Sequence, residues 1–220
     1  MRRYRTLLFD LDGTLIDSVG LIVESYHHTM SVHGLDPRPD EFWTRSIGIP
    51  LREQLAPFAT RTATVDALVA TYRAYNLAHH DRRVAAFPGV AEAVHRVRAS
   101  GCRLGLVTSK NREGSLRGLR VAGLVDAFEL IVSADDVTRP KPHPEPVLRA
   151  LDGLGATAGE SVYVGDSLHD MESGRAAGVA TAAVVWGAFP RAALAPARPD
   201  HWIESAADLV GLADQAARRR

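Results

Sequence analysis

The sequence contains very little cysteine, no net charge and no long apolar run, and each deficit excludes a class of protein. Cys102 is the single cysteine among 220 residues, so an intrachain disulfide is impossible and a reducing compartment is favoured. Lysine plus arginine equals aspartate plus glutamate at 26 each, which argues against nucleic acid or an anionic membrane as main partner. No stretch approaches the ~18 uncharged apolar residues of a membrane span, and the N-terminus lacks a signal-peptide pattern. We therefore expect a cytoplasmic protein.

The composition is that of an ordinary globular chain, with 46% hydrophobic and 24% charged residues. Short apolar runs predict five buried strands, over Thr6–Phe9, Arg103–Val107, Leu130–Val132, Ser161–Val164 and Thr181–Val185. Helical patterns separate the later strands, over Pro88–Gly101, Glu113–Val121, Pro144–Leu154 and Asp170–Ala177. This alternation predicts an α/β fold with a parallel sheet and right-handed crossovers. The Ala/Pro-rich stretch Ala192–Pro199 predicts a surface loop.

Residues 18–84 break this alternation, because they contain helical patterns and no convincing strand. Apolar residues recur at four-residue steps within Val19–His33, and Gly34 ends the pattern. Further helices are predicted from Asp40 onward, over Leu51–Phe58 and over Thr64–His79. We therefore predict a helical insert of residues 18–84 within a core of residues 1–17 and 85–220. Two connections to the core would let the insert hinge.

Two aspartates lie directly after the first predicted strand. Asp10 and Asp12 follow the run Thr6–Phe9 and precede Gly13, which indicates a central strand ending in a glycine turn. Ligands of open α/β sheets bind at the carboxyl ends of the strands. Because like charges at the mouth of a core strand repel each other and lose hydration, the pair indicates chemistry. The alternative is an Asp-Gly turn with solvated carboxylates.

Three further segments place polar residues after later strands. Thr108 and Ser109 follow the second predicted strand, and Lys141, flanked by two prolines, follows the third. Asp166 and Asp170 follow the fourth. Since the carboxyl ends of parallel strands meet at one edge of a sheet, we expect all four segments to converge there.

In combination and order, the segments of Asp10, Thr108, Lys141 and Asp166 resemble the motifs of the haloacid dehalogenase-type hydrolases. The resemblance is to the subgroup with a helical cap after the first motif, and it covers essentially the whole chain. It implies a Rossmann-like parallel-sheet core with helices on both faces and an inserted α-helical cap. It also implies Mg²⁺-dependent hydrolysis of a phosphate ester through a transient aspartyl phosphate.

The resemblance also implies catalytic roles for four residues. Asp10 would attack phosphorus as the nucleophile, and Asp12 would act as general acid and base. Thr108 would hydrogen-bond a phosphoryl oxygen, and Lys141 would pair with the nucleophile and the transferring phosphate. An acid at position 12 favours phosphoryl transfer, because the dehalogenase members lack one there.

The resemblance implies a set of oxygen ligands for Mg²⁺. Asp10, the backbone carbonyl of Asp12 and Asp166 would bind the ion, which suits a hard cation. Asp170 would help to hold the metal or orient a water on it. The alternative for Asp170 is a cap at the N-terminus of the following helix.

Four residues are predicted to bind substrate or phosphate. Gly13 allows close backbone approach to phosphate. The backbone N–H groups of Ser109 and Lys110 would bind anionic oxygens at a loop-to-helix junction. Arg52, in a cap loop, would contact a substrate carboxylate or a distal phosphate; a solvated arginine is the alternative.

The substrate stays open between several small phosphorylated metabolites. The leading expectation is a phosphatase acting on 2-phosphoglycolate. Inorganic pyrophosphatase is an alternative, because Tyr75–Asp81 is similar to a cap segment of pyrophosphatases in this family. A phosphomutase resembling β-phosphoglucomutase is another, and a catalytically silent binding protein is the alternative from outside the enzymes. We expect no nucleic-acid or membrane partner, and a monomer or homodimer.

Overall fold

A computed structural model of the chain describes residues 4–213; the ends of the predicted core, residues 1–3 and 214–220, lie outside it. The strands in the described range are β1 (Thr6–Phe9), β2 (Ile16–Asp17), β3 (Ala85–Ala86), β4 (Arg103–Val107), β5 (Leu130–Val132), β6 (Ser161–Gly165), β7 (Ala180–Val184) and β8 (His201–Ile203). The α-helices there are α1 (Val19–Val32), α2 (Asp40–Thr44), α3 (Leu51–Leu55), α4 (Val65–Arg83), α5 (Val90–Ala99), α6 (Arg112–Val121), α7 (Glu145–Leu154), α8 (Leu168–Ala176), α9 (Arg191–Leu194) and α10 (Ala206–Leu212). None of these helices is long and apolar enough to cross a membrane.

Six of the strands form one parallel sheet in the order β5-β4-β1-β6-β7-β8. The five predicted strands are all present, and the α/β class with a parallel sheet is confirmed. The edge strand β8 was not predicted, since its three residues include a histidine and a tryptophan that are only half-buried. β1 lies in the middle of the sheet, between β4 and β6.

Helices cover both faces of this sheet, as a Rossmann-like core requires. Successive side chains of a strand point to opposite faces, and in β1 Leu7 and Phe9 belong to a cluster formed with α5 and α10. Leu8 belongs to the opposite cluster, formed with α7. All three side chains are fully buried, so the first strand is held rigidly from both sides.

The segment between β2 and β3 is helical, as predicted for the insert. Its helices α1 and α4 pack along each other, and Tyr26 stacks on Trp43 with ring centroids 4.3 Å apart. The short strands β2 and β3 pair antiparallel, which brings the two ends of the helical segment together at the carboxyl edge of β1. The insert is thereby placed over the edge where the predicted motifs lie.

The predicted loop over Ala192–Pro199 is wrong. Helix α9 begins at Arg191, and a 3-10 turn follows over Ala195–Ala197. Alanine-rich sequence favours helix, and a proline is tolerated in the first turn of a helix. Leu194 is fully buried in an apolar cluster that also contains Tyr26 and Trp43 of the insert, so this stretch contributes to the packing.

Candidate active site

Asp10, Thr108 and Asp166 lie side by side because their strands are neighbours in the sheet. The strand order places β1 between β4 and β6. Each of the three residues directly follows the last residue of its strand. The backbone N–H of Asp10 donates to the carbonyl of Val164 at 2.9 Å. The three residues are buried, so the backbone of the sheet fixes polar groups inside a nearly closed edge.

Lys141 links the first and last motifs through its buried ammonium group. Its Nζ donates to Asp10 Oδ1 at 2.8 Å, to Asp170 Oδ1 at 2.6 Å and to the Tyr163 hydroxyl at 3.1 Å. The side chain is 2% exposed. Three acceptors match the three hydrogens of an ammonium group, which satisfies a cation that would otherwise be costly to bury.

The pKa values of this cluster follow from burial and charge. Burial raises the pKa of Asp10 to about 7, although Lys141 opposes the rise. For Asp170, burial is outweighed by Lys141 and by hydrogen bonds from Ser167 and Tyr163, so its pKa falls below the usual value. Burial acts to lower the pKa of Lys141, but the two carboxylates raise it well above 10.5. Lys141 is therefore held as a cation.

Asp10, Asp166 and Asp170 form a carboxylate cluster that fits a divalent cation. One oxygen from each lies within 4.8 Å of the others. Asp166 is 1% exposed, and its Oδ1 is buried without a hydrogen-bond partner among the described residues. Burial, followed by the charges of Asp170 and Asp10, raises the pKa of Asp166 well above 3.8. A hard cation such as Mg²⁺ would satisfy the free oxygen and offset this repulsion, so the residues fit the predicted metal.

Asp170 serves as a helix cap and as a charged partner at the same time. Its Oδ2 accepts from the backbone N–H and the hydroxyl of Ser167 at 3.0 and 2.6 Å, which closes a capping box at the start of α8. Its Oδ1 accepts from Lys141. The predicted helix cap is therefore present, and a metal-binding role for Asp170 stays a prediction.

Asp12 faces a different cation from Asp10. Its carboxylate accepts from Lys110 Nζ at 2.8 and 3.1 Å and from the Ser18 hydroxyl at 2.6 Å. Burial acts to raise the pKa of Asp12, but Lys110 and Ser18 outweigh it and lower the pKa below 3.8. The side chain is outside the carboxylate cluster. A metal bond from the backbone carbonyl of Asp12 stays a prediction.

The residues after β4 differ from the predicted arrangement. The backbone N–H of Lys110 donates to Thr108 Oγ1 at 3.2 Å, so it is already engaged and Lys110 reaches the site through its side chain. The Ser109 hydroxyl donates to the carbonyl of Gly48 in the helical insert at 2.6 Å. Ser109 thus joins the core to the insert directly above the site.

A cavity of about 430 Å³ lies between the core and the helical insert, a size typical of small-molecule sites. Asp10, Asp12, Thr108 and Lys110 line it from the core. Arg52 lines it from the insert, where its guanidinium pairs with Asp66 at 2.6 Å on an exposed rim. Arg52 therefore lies at the cavity mouth, and its predicted contact with substrate stays a prediction.

Gly13 is required by the shape of its turn. Its φ is +81°, and a Cβ there would lie 2.2 Å from Asp166 Oδ2. Any side chain would displace this carboxylate, so Gly13 allows close approach to Asp166.

Sequence reasoning missed three contributions to the site. Tyr163 was predicted only as a core residue of β6, and Ser18 only as the start of the insert. Lys110 was predicted through its backbone alone. A signal was present for Lys110, because only two of the 26 basic residues are lysines, and both contact an aspartate of the Asp10-Leu11-Asp12 run.

A family model for haloacid dehalogenase-like hydrolases matches residues 7–184 of the chain. The chain belongs to this family. Among curated relatives of this haloacid dehalogenase-like hydrolase, a protein of Anoxybacillus flavithermus is 40% identical over 207 residues, which cover 94% of this chain and 95% of the relative. That protein is named pyrophosphatase PpaX.

Solved structures of the same family share the fold. A Bacteroides fragilis protein named as a haloacid dehalogenase-like hydrolase superposes with a TM-score of 0.86 and 29% identity, covering 94% of this chain and all of that one. A protein of Lactobacillus plantarum named as a phosphoglycolate phosphatase superposes with a TM-score of 0.83 and 26% identity, over 96% and 99% of the two chains. The names of these relatives therefore include two of the expected activities, those of a pyrophosphatase and a phosphoglycolate phosphatase.

Proposed function

We propose that the protein is a Mg²⁺-dependent hydrolase that cleaves inorganic pyrophosphate through an aspartyl phosphate on Asp10. Asp10, Asp166 and the backbone carbonyl of Asp12 would hold the metal, with Asp170 beside them. When bound, Mg²⁺ would neutralise charge on the phosphoryl group and so lower the barrier to attack by an anion. The carboxylate cluster and its unpartnered Asp166 oxygen support this metal centre.

The covalent steps belong to the two aspartates of the first motif. An oxygen of Asp10 forms a bond to phosphorus while the bridging P–O bond breaks and phosphate leaves. Asp12 then takes a proton from water, and the oxygen of that water forms a bond to the same phosphorus as the bond to Asp10 breaks. Lys141 donates to Asp10 Oδ1, which orients the nucleophile, and Thr108 would donate to a phosphoryl oxygen.

The position of the Lys110 ammonium group is the observation that favours pyrophosphate as the substrate. This group lines the cavity beside Asp12. The part of the substrate that departs when the phosphoryl group moves to Asp10 would lie here. The leaving group of pyrophosphate is itself a charged phosphate, which a cation at this point stabilises. An alcohol leaving group has no such charge before cleavage. The name of the 40% identical relative agrees with this choice.

A phosphatase acting on 2-phosphoglycolate is the second candidate. The Lactobacillus plantarum structure supports it by its name, and Arg52 at the cavity mouth offers a cation to a substrate carboxylate. The two candidates differ in the leaving group, and they share the steps on Asp10.

The test is phosphate release with Mg²⁺ from pyrophosphate, 2-phosphoglycolate, β-glucose 1-phosphate and an aryl phosphate, each repeated with EDTA. We expect metal-dependent release with the highest kcat/KM for pyrophosphate. A preference for 2-phosphoglycolate would transfer the assignment to the second candidate. Absence of release from all four by folded protein would overturn the hydrolase proposal.

A matched pair of variants tests the part played by Lys110. Lys110→Met removes a charged hydrogen bond worth about 1.5–3 kcal/mol, so kcat/KM for pyrophosphate should fall by roughly 10–150-fold. The aryl phosphate should lose less, because its leaving group lacks the second phosphate. Arg103→Met removes one charge from an exposed ion pair with Glu129 and should change neither. An equal loss for both substrates would contradict the leaving-group argument.

A further inference from the structure

A chain segment one residue beyond the end of β7 packs against the metal-site carboxylate of Asp166. The segment is Trp186-Gly187-Ala188, which we call the 186–188 segment. It is partly buried and follows β7, the neighbour of β6 in the sheet. None of the four motifs includes it, but it hydrogen-bonds to residues that two of those motifs supply.

The first contact fixes one oxygen of the metal ligand. The backbone N–H of Ala188 donates to Asp166 Oδ2 at 2.7 Å. The other oxygen, Oδ1, is buried and lacks a hydrogen-bond partner within residues 4–213. With Oδ2 occupied, the carboxylate cannot rotate without losing this bond, so Oδ1 is the oxygen left for a cation.

The second contact is steric and explains why residue 187 is glycine. A Cβ at Gly187 would lie 2.3 Å from Asp166 Cβ, 2.5 Å from its Oδ2 and 2.6 Å from the carbonyl oxygen of Gly13. The φ angle of Gly187 is outside the left-handed region, so backbone conformation does not require glycine here. The requirement is space for Asp166, which lies between the backbones of residues 13 and 187.

The third contact ties the segment to the loop of the first motif. The indole N–H of Trp186 donates to the carbonyl of Thr14 at 3.1 Å, and its ring packs on Phe87 with centroids 6.3 Å apart. The segment is thus anchored on one side to the loop that carries Asp12 and Gly13, and on the other to Asp166.

We propose that the 186–188 segment is a positioning element for the metal ligand Asp166, and that Gly187 sets the place of its carboxylate. The inference rests on the metal centre of the proposed function and adds residues that never touch the cation. Groups that orient a metal ligand tune affinity for the ion, and their loss typically costs about 10–100-fold in binding. The segment therefore acts on metal affinity through Asp166.

The experiment compares Gly187→Ala with Gly20→Ala by calorimetric titration of Mg²⁺ into each full-length protein, in the absence of substrate. Gly20 lies exposed in α1, and a Cβ there meets nothing within 4 Å. We expect Mg²⁺ to bind at least ~10-fold more weakly to Gly187→Ala than to the parent. Gly20→Ala should bind Mg²⁺ like the parent. Circular dichroism and thermal unfolding show that each variant is folded.

A second variant keeps the inference testable if Gly187→Ala does not fold. Trp186→Phe retains an aromatic ring and removes the hydrogen bond to the carbonyl of Thr14, so we expect Mg²⁺ to bind about threefold more weakly. Activity gives an independent readout. Excess Mg²⁺ should restore most of kcat in both variants, whereas general structural damage would not respond to the ion.

The outcomes separate this inference from the proposed function. If the parent binds Mg²⁺ and Asp166→Asn does not, the metal centre stands. Unchanged Mg²⁺ affinity in folded Gly187→Ala would then overturn the positioning role alone. If the parent does not bind Mg²⁺, the proposed metal centre fails and the positioning role fails with it.

Discussion

Replacing Lys141 by methionine should destabilise the protein strongly, because it removes the cation between two buried carboxylates. Methionine has a similar length and no charge. Asp10 and Asp170 would keep their places with side chains 8% and 1% exposed. Breaking a buried ion pair by removing one partner typically costs about 3–5 kcal/mol. For a chain of this size that corresponds to a fall in Tm of roughly 6–20 °C.

The loss in Lys141→Met should depend on pH in a definite direction. The pKa of Asp10 is already raised to about 7 with the lysine present, and removal of the cation raises it further. A carboxyl whose pKa is higher in the folded than in the unfolded state binds more protons when folded, so stability falls as pH rises between the two values. The variant should therefore be closer to the parent at pH 6 than at pH 8.

The assay is urea and thermal unfolding of the parent, Lys141→Met and the double variant Lys141→Met with Asp170→Asn, in EDTA at both pH values. The double variant should recover part of the loss, because Asp10 is then the only one of the two Lys141-paired carboxylates left without its cation. A free energy of unfolding for Lys141→Met within about 1 kcal/mol of the parent at pH 8 would refute the argument, since it falls well below the cost of an unpaired buried charge.

Three further predictions concern catalysis and substrate binding. Asp10→Asn should abolish both hydrolysis and phosphoenzyme formation, which acid-quenched labelling with ³²P-substrate would detect; residual turnover near that of the parent would exclude a covalent role. Asp12→Asn should slow turnover by roughly 10²–10⁴-fold, and phosphoenzyme should accumulate. If the variant's phosphoenzyme level during turnover equals that of the parent, Asp12 is not the base. Ser109→Ala loses the 2.6 Å bond that joins the core to Gly48 of the insert, so KM should rise about 2–10-fold while the Tm stays near that of the parent. An unchanged KM would show that this bond does not contribute to substrate binding.

The positions of Asp10, Asp166 and Lys141 could be predicted because they depend on local signals. Asp10 and Asp166 each follow an apolar run, and parallel strands deliver their carboxyl ends to one edge. That geometry needs no knowledge of side-chain direction. Lys141 follows a strand as well, between two prolines that limit its backbone. The structure brings these three residues together as the sequence predicted, although their roles in the reaction stay predictions.

The missed features depend on contacts between distant parts of the chain. Tyr163 looks like any core residue of a strand, and its alternation in β6 sends it to the face shared with Leu8. Only the folded structure shows its hydroxyl within 3.1 Å of Lys141 and 2.9 Å of Asp170. Position 187 requires glycine because a Cβ there would collide with Asp166. No sequence pattern near residue 187 indicates this contact.

The two lysines show how one strand end supports two different acids. Asp10 and Asp12 are two residues apart, yet Lys141 contacts the first at 2.8 Å and Lys110 contacts the second at 2.8 Å. In a chain whose other 24 basic residues are arginines, these sites retain the smaller cation. An ammonium group is a compact charge with three rotatable donors, whereas a guanidinium is a rigid planar fork. Around Lys141 three acceptors converge on one nitrogen, which a fork cannot satisfy. Beside Lys110 the compact charge would leave cavity space for the leaving phosphate of the proposed reaction.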